Sequence, residues 1–312
     1  MNIVFFASSH FALPSLESLI KSGHRISCVV TQPDKKKGRG LHLSGTTVKA
    51  LAKGYNLALY QPQNINTAEA ISFIKDLLPD LFIAISYGQI LSKELLGIPK
   101  IFSMNLHGSL LPKYRGAAPI NWAIIKGEKT TGVTVIKMEE KMDAGPIILQ
   151  KKQDILDEDT CVSLEDKLSH LAAELLLAAL GAIEKNNYRL TPQDTAGVSF
   201  ALKLKKSDGL IDWKSSAKQI RNLIRGCIDW PGAFTFYKKK LLKIYKAKSS
   251  WAIDSMLPKT AGEIIEVAKN QVVVATGKGS LIIEELQIEG KRRMTVREFI
   301  SGHKIKAGEA FG

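Results

Sequence analysis

Asn2-Ile3-Val4-Phe5-Phe6-Ala7, an amphipathic run from Phe11 to Lys21, and Arg25-Ile26-Ser27-Cys28-Val29-Val30 follow one another at the start of the chain. Two short apolar runs with a segment at helical spacing between them read as strand, helix, strand. The same alternation continues, with further strands near 57–60, 81–86, 101–106, 132–138 and 146–150. Strands separated by helical segments build βαβ units, so the pattern predicts an α/β domain with a doubly wound, mostly parallel sheet. Residues 162–184, rich in Leu and Ala at helical spacing, predict a long helix packed on that sheet.

From Asn186 to about Lys206 the periodicity gives way to a polar stretch holding Pro192 and Gly197, as in a connection between domains. Beyond Ser207 the pattern changes. A short helix around 215–225 precedes β-like runs at 233–237, 241–247, 263–268, 271–275 and 280–286. Short strands at such spacing suggest a small β-barrel. The expected division is therefore a first domain over 1–188, a linker over 189–206 and a second domain over 207–312.

A chain of 312 residues, 45% hydrophobic and 24% charged, has enough apolar mass for a large core and favours two domains over one. No apolar stretch reaches the roughly 18 residues that cross a bilayer, and a strand begins directly after Met1, so neither a membrane span nor a leader is expected and the setting is expected to be cytoplasmic. The formal net charge of +14 points to a polyanionic partner such as nucleic acid. Residues 207–312 hold 19 basic and 11 acidic side chains, so the smaller part is the more basic one. Cys28, Cys161 and Cys227 are far apart and lack a C-x-x-C pair, and the six His form no H-x-x-x-H pair. Neither disulfides nor a metal site are predicted, and a monomer is the default expectation.

The chemistry concentrates in Met104-Asn105-Leu106-His107-Gly108-Ser109-Leu110-Leu111-Pro112-Lys113-Tyr114-Arg115-Gly116 and in Asp143-Ala144-Gly145-Pro146. Residues 101–104 read as the end of a buried strand, and Asn105 and His107, two apart, project from one face of it. The turn-rich loop that follows lies at the C-terminal edge of a parallel sheet, where ligands sit in open α/β folds. An amide N–H and an imidazole N–H stabilise a developing oxyanion, and a carboxylate holds the imidazole as a donor. No serine or cysteine stands beside a base, which favours direct attack by a substrate amine on a carbonyl over a covalent enzyme intermediate.

These residues resemble a known family. Asn105, the His107-x-Ser109-Leu110-Leu111-Pro112 stretch with Gly116, and Asp143 are similar to the catalytic constellation of formyltransferases that use 10-formyltetrahydrofolate. The longer string from Ser109 through Ile120, with Asn121 and Trp122 after it, resembles the methionyl-tRNA formyltransferase family more than its purine or sugar relatives. The likeness runs along nearly the whole chain, including Thr31-Gln32-Pro33-Asp34 and Ile211-Asp212-Trp213. It implies a Rossmann-like formyltransferase domain followed by an OB-like barrel. It also implies transfer of the formyl group of 10-formyltetrahydrofolate, as a donor co-substrate, to the α-amine of methionyl-initiator tRNA in translation initiation.

By that resemblance Asn105, His107 and Asp143 are catalytic, and Tyr87, Gly88, Gln89, Ile90 and Leu91, with Ser109, Leu110, Leu111 and Pro112, line the folate pocket. The Leu111–Pro112 bond is expected to be cis. In the basic segment Gln32-Pro33-Asp34-Lys35-Lys36-Lys37-Gly38-Arg39-Gly40, Arg39 is the principal expected contact to the tRNA acceptor stem, with Lys36 and Lys37 as helpers. In the second domain Arg292 and Arg293, on an exposed turn, are the preferred phosphate contacts, while Trp213, Trp230 and Trp251 are expected in core or interdomain packing. A formyltetrahydrofolate hydrolase or a sugar-amine formyltransferase would keep the trio without needing the basic surfaces. A non-catalytic RNA-binding protein would keep the charge without needing the trio.

Overall fold

The computed structural model describes residues 1–37, 42–250 and 260–312. By contacts the chain divides into two compact units. The first comprises Met1–Pro119, Thr130–Asp154 and Glu165–Ala201; the second comprises Ile120–Lys129, Ile155–Leu164 and Leu202–Gly312. The second unit thus takes in two stretches that lie, in chain order, between segments of the first, which composition along the sequence does not reveal.

The strands of the first unit are β1 (Asn2–Ala7), β2 (Arg25–Val30), β3 (Lys35–Lys37), β4 (His42–Ser44), β5 (Leu59–Tyr60), β6 (Leu81–Ile85), β7 (Phe102–His107), β8 (Arg115–Gly116), β9 (Thr130–Lys137), β10 (Ile147–Asp154) and β11 (Phe200–Ala201). Seven of them form one sheet in the order β10-β9-β7-β6-β1-β2-β5. Every pairing from β7 through to β5 is parallel, and β9 and β10 add antiparallel edges. The sheet is mostly parallel, as the strand–helix alternation predicts. Its central strands are buried on both faces: Ile3 to Ala7 and Leu81 to Ile85 are all at or near zero exposure. That two-sided burial is why these strands read as unbroken apolar runs rather than alternating ones. Phe6, Phe82 and Tyr87 close part of this core with edge-to-face ring contacts.

The polar stretch after the Cys161–Glu184 helix packs on this unit for most of its length. Thr191 bridges Ile147, and β11 lies parallel to β8. This pairing accounts for Gly116, whose φ is +122° and whose Cβ, if it had one, would stand 2.6 Å from the Ala201 carbonyl oxygen.

In the second unit β12 (Phe234–Tyr237), β13 (Lys240–Ser250), β14 (Ile264–Ala268), β15 (Gln271–Ala275), β16 (Ser280–Ile288) and β17 (Met294–Thr295) form a six-stranded antiparallel sheet. Irregularities on β13 at Ile244/Lys246 and Lys246/Ala247 bend its longest strand. The sheet coils over one core that includes Trp213, Ile220, Leu242, Leu281, Ile283 and Phe299. The Ala217–Gly226 helix closes it, opened by a Ser216/Gln219 capping box.

Candidate active site

Asn105 and His107 end β7, and the two-residue period puts both on one face while Leu106 goes to the other side into the core. Asp143, 36 positions later in the β9–β10 connection, reaches the same place. Its Oδ2 accepts from the Gly116 amide at 2.8 Å and stands 3.6 Å from His107 Nδ1. Its Oδ1 accepts a long hydrogen bond from Asn105 Nδ2, at 3.4 Å. The three side chains converge, with His107 6% and Asp143 10% exposed at the side chain, so their mutual field is little screened by solvent. His107 Nε2 is 2.8 Å from the Tyr114 carbonyl oxygen, leaving Nδ1 as the nitrogen that faces the carboxylate.

The backbone here is unusual. Asp143 has φ +53° and Tyr114 φ +62°, a region that residues with a Cβ rarely occupy. Gly145 must lack a side chain, since a Cβ would fall 1.8 Å from the Lys137 carbonyl oxygen. The loop after His107 is held from beneath by Thr134 on β9. Its Oγ1 donates to the Ser109 carbonyl at 2.6 Å and accepts from the Leu111 amide at 3.1 Å and from Gln150 Nε2 at 2.9 Å. Gln150 Nε2 also donates to the Leu111 carbonyl. The Leu111–Pro112 peptide is cis, in agreement with the expectation.

Two family models match the chain: "Formyl transferase" over residues 1–180 and "Formyl transferase, C-terminal domain" over 203–304. A methionyl-tRNA formyltransferase of Alkaliphilus oremlandii is 45% identical over 312 residues, covering all of both chains. The chain belongs to the methionyl-tRNA formyltransferase family. A second methionyl-tRNA formyltransferase, from Thermodesulfovibrio yellowstonii, is 46% identical over 306 residues, 98% of this chain and 97% of its own. Among solved structures, an N-formyltransferase from Helicobacter canadensis in complex with folinic acid and dTDP-3-aminofucose shares the fold. It has a TM-score of 0.66 at 20% identity, covering 90% of this chain and 97% of its own.

Within this member of the methionyl-tRNA formyltransferase family, the expected folate-lining residues fall into different surroundings. Tyr87 is buried in the core cluster, and burial raises the pKa of its hydroxyl, which has no hydrogen-bond partner among the described residues. Its carbonyl accepts from Ser8 Oγ. Gly88 turns the chain with φ +89°, which opens the corner beside Gln32. Gln89 spends its amide on the preceding loop, accepting from Ile65 N and donating toward Pro62 O and Gln63 O. Ile90 is 65% exposed, whereas Leu91 is buried. Ser109 Oγ donates to the Lys113 carbonyl, and Leu111 is buried while Leu110 and Pro112 are half-buried.

The basic positions also divide. Lys36 is exposed on β3, which pairs with β4 in a two-stranded ribbon; of Lys37 only the backbone pairing with His42 is described, and Arg39 lies outside the described residues, as does Trp251. The root of this ribbon is fixed by Lys49 Nζ and Gln61 Nε2 donating to the Asp34 carboxylate, which together hold its pKa below the usual carboxylate range. Arg292 and Arg293 are exposed, and each is paired: Arg292 with Glu298, Arg293 with Glu285. The Arg293 guanidinium also lies 4.6 Å from the Tyr245 ring centroid. Trp213 is buried as expected, its Nε1 donating to Thr235, but Trp230 is 57% exposed and so is not a core residue.

Three supporting residues are all but silent in the sequence pattern. Thr134 and Gln150 look like ordinary strand residues, and Arg115 looks like a solvated loop cation but is 6% exposed. A polar residue inside an otherwise apolar strand, as Thr134 is in Gly132-Val-Thr-Val-Ile136, is the one hint available in advance.

Proposed function

We propose that this chain transfers the formyl group of 10-formyltetrahydrofolate to the α-amino group of methionyl-initiator tRNA, for translation initiation. The observation that carries the reading is full-length similarity to methionyl-tRNA formyltransferases joined to the convergence of Asn105, His107 and Asp143 at the end of β7. In this reading the neutral amine attacks the formyl carbon, negative charge develops on the formyl oxygen, and the bond to the folate nitrogen breaks as that nitrogen takes a proton. Asn105 and His107 serve the oxyanion, His107 by turning one ring N–H from its resting acceptor to the formyl oxygen, and each donor contributes about 3 kcal/mol to the transition state. The 3.4 Å bond from Asn105 to Asp143 is long, and an oxyanion is a better acceptor for the same N–H. Asp143 orients the imidazole and relays the amine proton through water.

Catalysis is assigned to the first unit, and tRNA phosphates are assigned to Lys36, Lys37 and Arg39 of that unit and to Arg292 and Arg293 of the second. The folate donor is assigned to the surface around Gly88 to Leu91 and Ser109 to Pro112. A cytoplasmic monomer completes the proposal. No helix among the described residues is long and apolar enough to cross a membrane. The test supplies 10-formyltetrahydrofolate labelled in the formyl group, with methionyl-initiator tRNA, water or an aminosugar nucleotide as acceptor. Label on methionyl-tRNA alone is the expected result; formate release or sugar labelling at comparable rates overturns the assignment.

A further inference from the structure

Gln193 lies between the segments matched by the two family models, at residues 1–180 and 203–304, and has no part in the roles assigned above. Its side-chain amide is fully used. Nε2 donates to the Asp143 carbonyl at 2.8 Å and to the Gly145 carbonyl at 2.8 Å. Oε1 accepts from Arg115 Nε at 3.1 Å and from Arg115 Nη2 at 2.7 Å. One amide therefore ties the loop that follows His107, through Arg115, to the turn that carries Asp143.

The chemistry of the two sides selects the residue. A guanidinium offers only donors and a carbonyl only accepts, so the group between them must accept on one side and donate on the other. Glutamine does both; glutamate, with oxygens alone, meets the arginine but faces two carbonyls with nothing to give. The tether also acts where the backbone needs it. Asp143 sits at φ +53°, and its carboxylate contacts Gly116 N, His107 and Asn105 only while that conformation persists. Pinning the carbonyls of residues 143 and 145 opposes relaxation of the turn, which would rotate the carboxylate away from the imidazole.

We propose that Gln193 is a positioning residue for formyl transfer, holding the Asp143 carboxylate in register with His107 and Asn105 through the backbone of the 143–145 turn. The proposal rests on the reading that those three side chains carry the reaction. It makes the polar connection after the first family segment a working part of the site.

The test compares wild type, Gln193→Ala, Gln193→Glu, Asp143→Asn and the Gln193→Ala/Asp143→Asn double variant, measuring kcat, KM for both substrates and the thermal midpoint. Gln193→Ala is expected to lower kcat about tenfold or more with both KM values within about twofold, because a small displacement of a reacting group costs rate before it costs binding. Gln193→Glu retains the acceptor for Arg115 but sets an oxygen against the two carbonyls, so it is expected to lose kcat similarly with both KM values again within about twofold. The double variant is expected to match Asp143→Asn within about twofold, since the tether is without effect once its carboxylate is gone. Wild-type kcat in both Gln193 variants beside a crippled Asp143→Asn overturns the proposal and leaves the site reading intact. Losses that multiply in the double variant also overturn it, by showing that Gln193 acts elsewhere than through Asp143. Wild-type turnover in Asp143→Asn removes the site reading and the proposal together.

Discussion

The loop from His107 to Gly116 and the turn from Glu289 to Arg293 both present polar groups on tight turns, yet they satisfy them in different ways. In the first, His107, Ser109 and Arg115 are buried, as is Thr134 beneath them, and their partners are backbone groups and neutral side chains, with the little-exposed Asp143 carboxylate beside His107 and Gly116 N as the one charged acceptor described there. In the second, exposed guanidiniums meet carboxylates in solvent. The difference teaches what each region can do. A largely buried loop with hydrogen-bonded polar groups holds dipoles in place before a charge develops, which is the requirement for stabilising a transition state. A wet set of ion pairs exchanges one anion for another at little cost, which suits salt-dependent attraction to a phosphate backbone.

The sharpest way to break this contrast is His107→Gln, which keeps a donor but changes its reach and loses the ring that bridges Tyr114 and Asp143. Turnover is expected to fall about a hundredfold with the thermal midpoint little changed; a kcat within about threefold of wild type would detach His107 from the chemistry. Next in size is Thr134→Val, nearly isosteric, which leaves the Leu111 amide and the Ser109 carbonyl without their buried partner. A loss of about 1–3 kcal/mol in urea unfolding is expected. No loss would show that the loop is not held from β9.

Arg293→Ala addresses the wet side. Its stability effect is expected to stay below about 1 kcal/mol, while the slope of log affinity for tRNA against log salt flattens by about one charge. Identical slopes would mean that the guanidinium stays with Glu285 and meets no phosphate. The smallest effect belongs to Glu298, whose pKa is lowered from its ordinary 4.5 to about 2 by the Thr295 backbone amide first, then by Arg292 and the Thr295 hydroxyl. A carboxylate with a depressed folded pKa stabilises the fold above its ordinary value and loses that contribution as pH falls toward 2. Melting of wild type and Glu298→Gln should therefore differ most at pH 7 and converge toward pH 2; a gap that widens in acid would reverse the sign.

Much of this was legible in the residues alone, and the reason is burial. Strands β1 and β6 are apolar on both faces, so their composition announces a parallel sheet interior, and the position of Asn105 and His107 at the end of β7 follows from a period of two. Asp143 joined them by family resemblance rather than by spacing, because its placement depends on a positive φ and on Gly145. Gln193, Arg115 and Gln150 stayed hidden for a related reason: each acts by a contact between segments far apart in sequence. Trp230 shows the converse, since a large aromatic reads as a packed residue, and only the folded turn leaves it exposed. The ribbon of β3 and β4 is likewise not announced by the sequence, since three lysines in a row carry none of the apolar alternation that marks a strand.

Whether the convergence at the end of β7 is a reaction centre is tested most directly by Asn105→Ala, with kcat measured at saturating substrates and tRNA affinity measured separately. The account predicts turnover down by about a hundredfold or more with tRNA affinity nearly unchanged, as for loss of a donor used only in the transition state. Weakened tRNA binding with preserved turnover would contradict it.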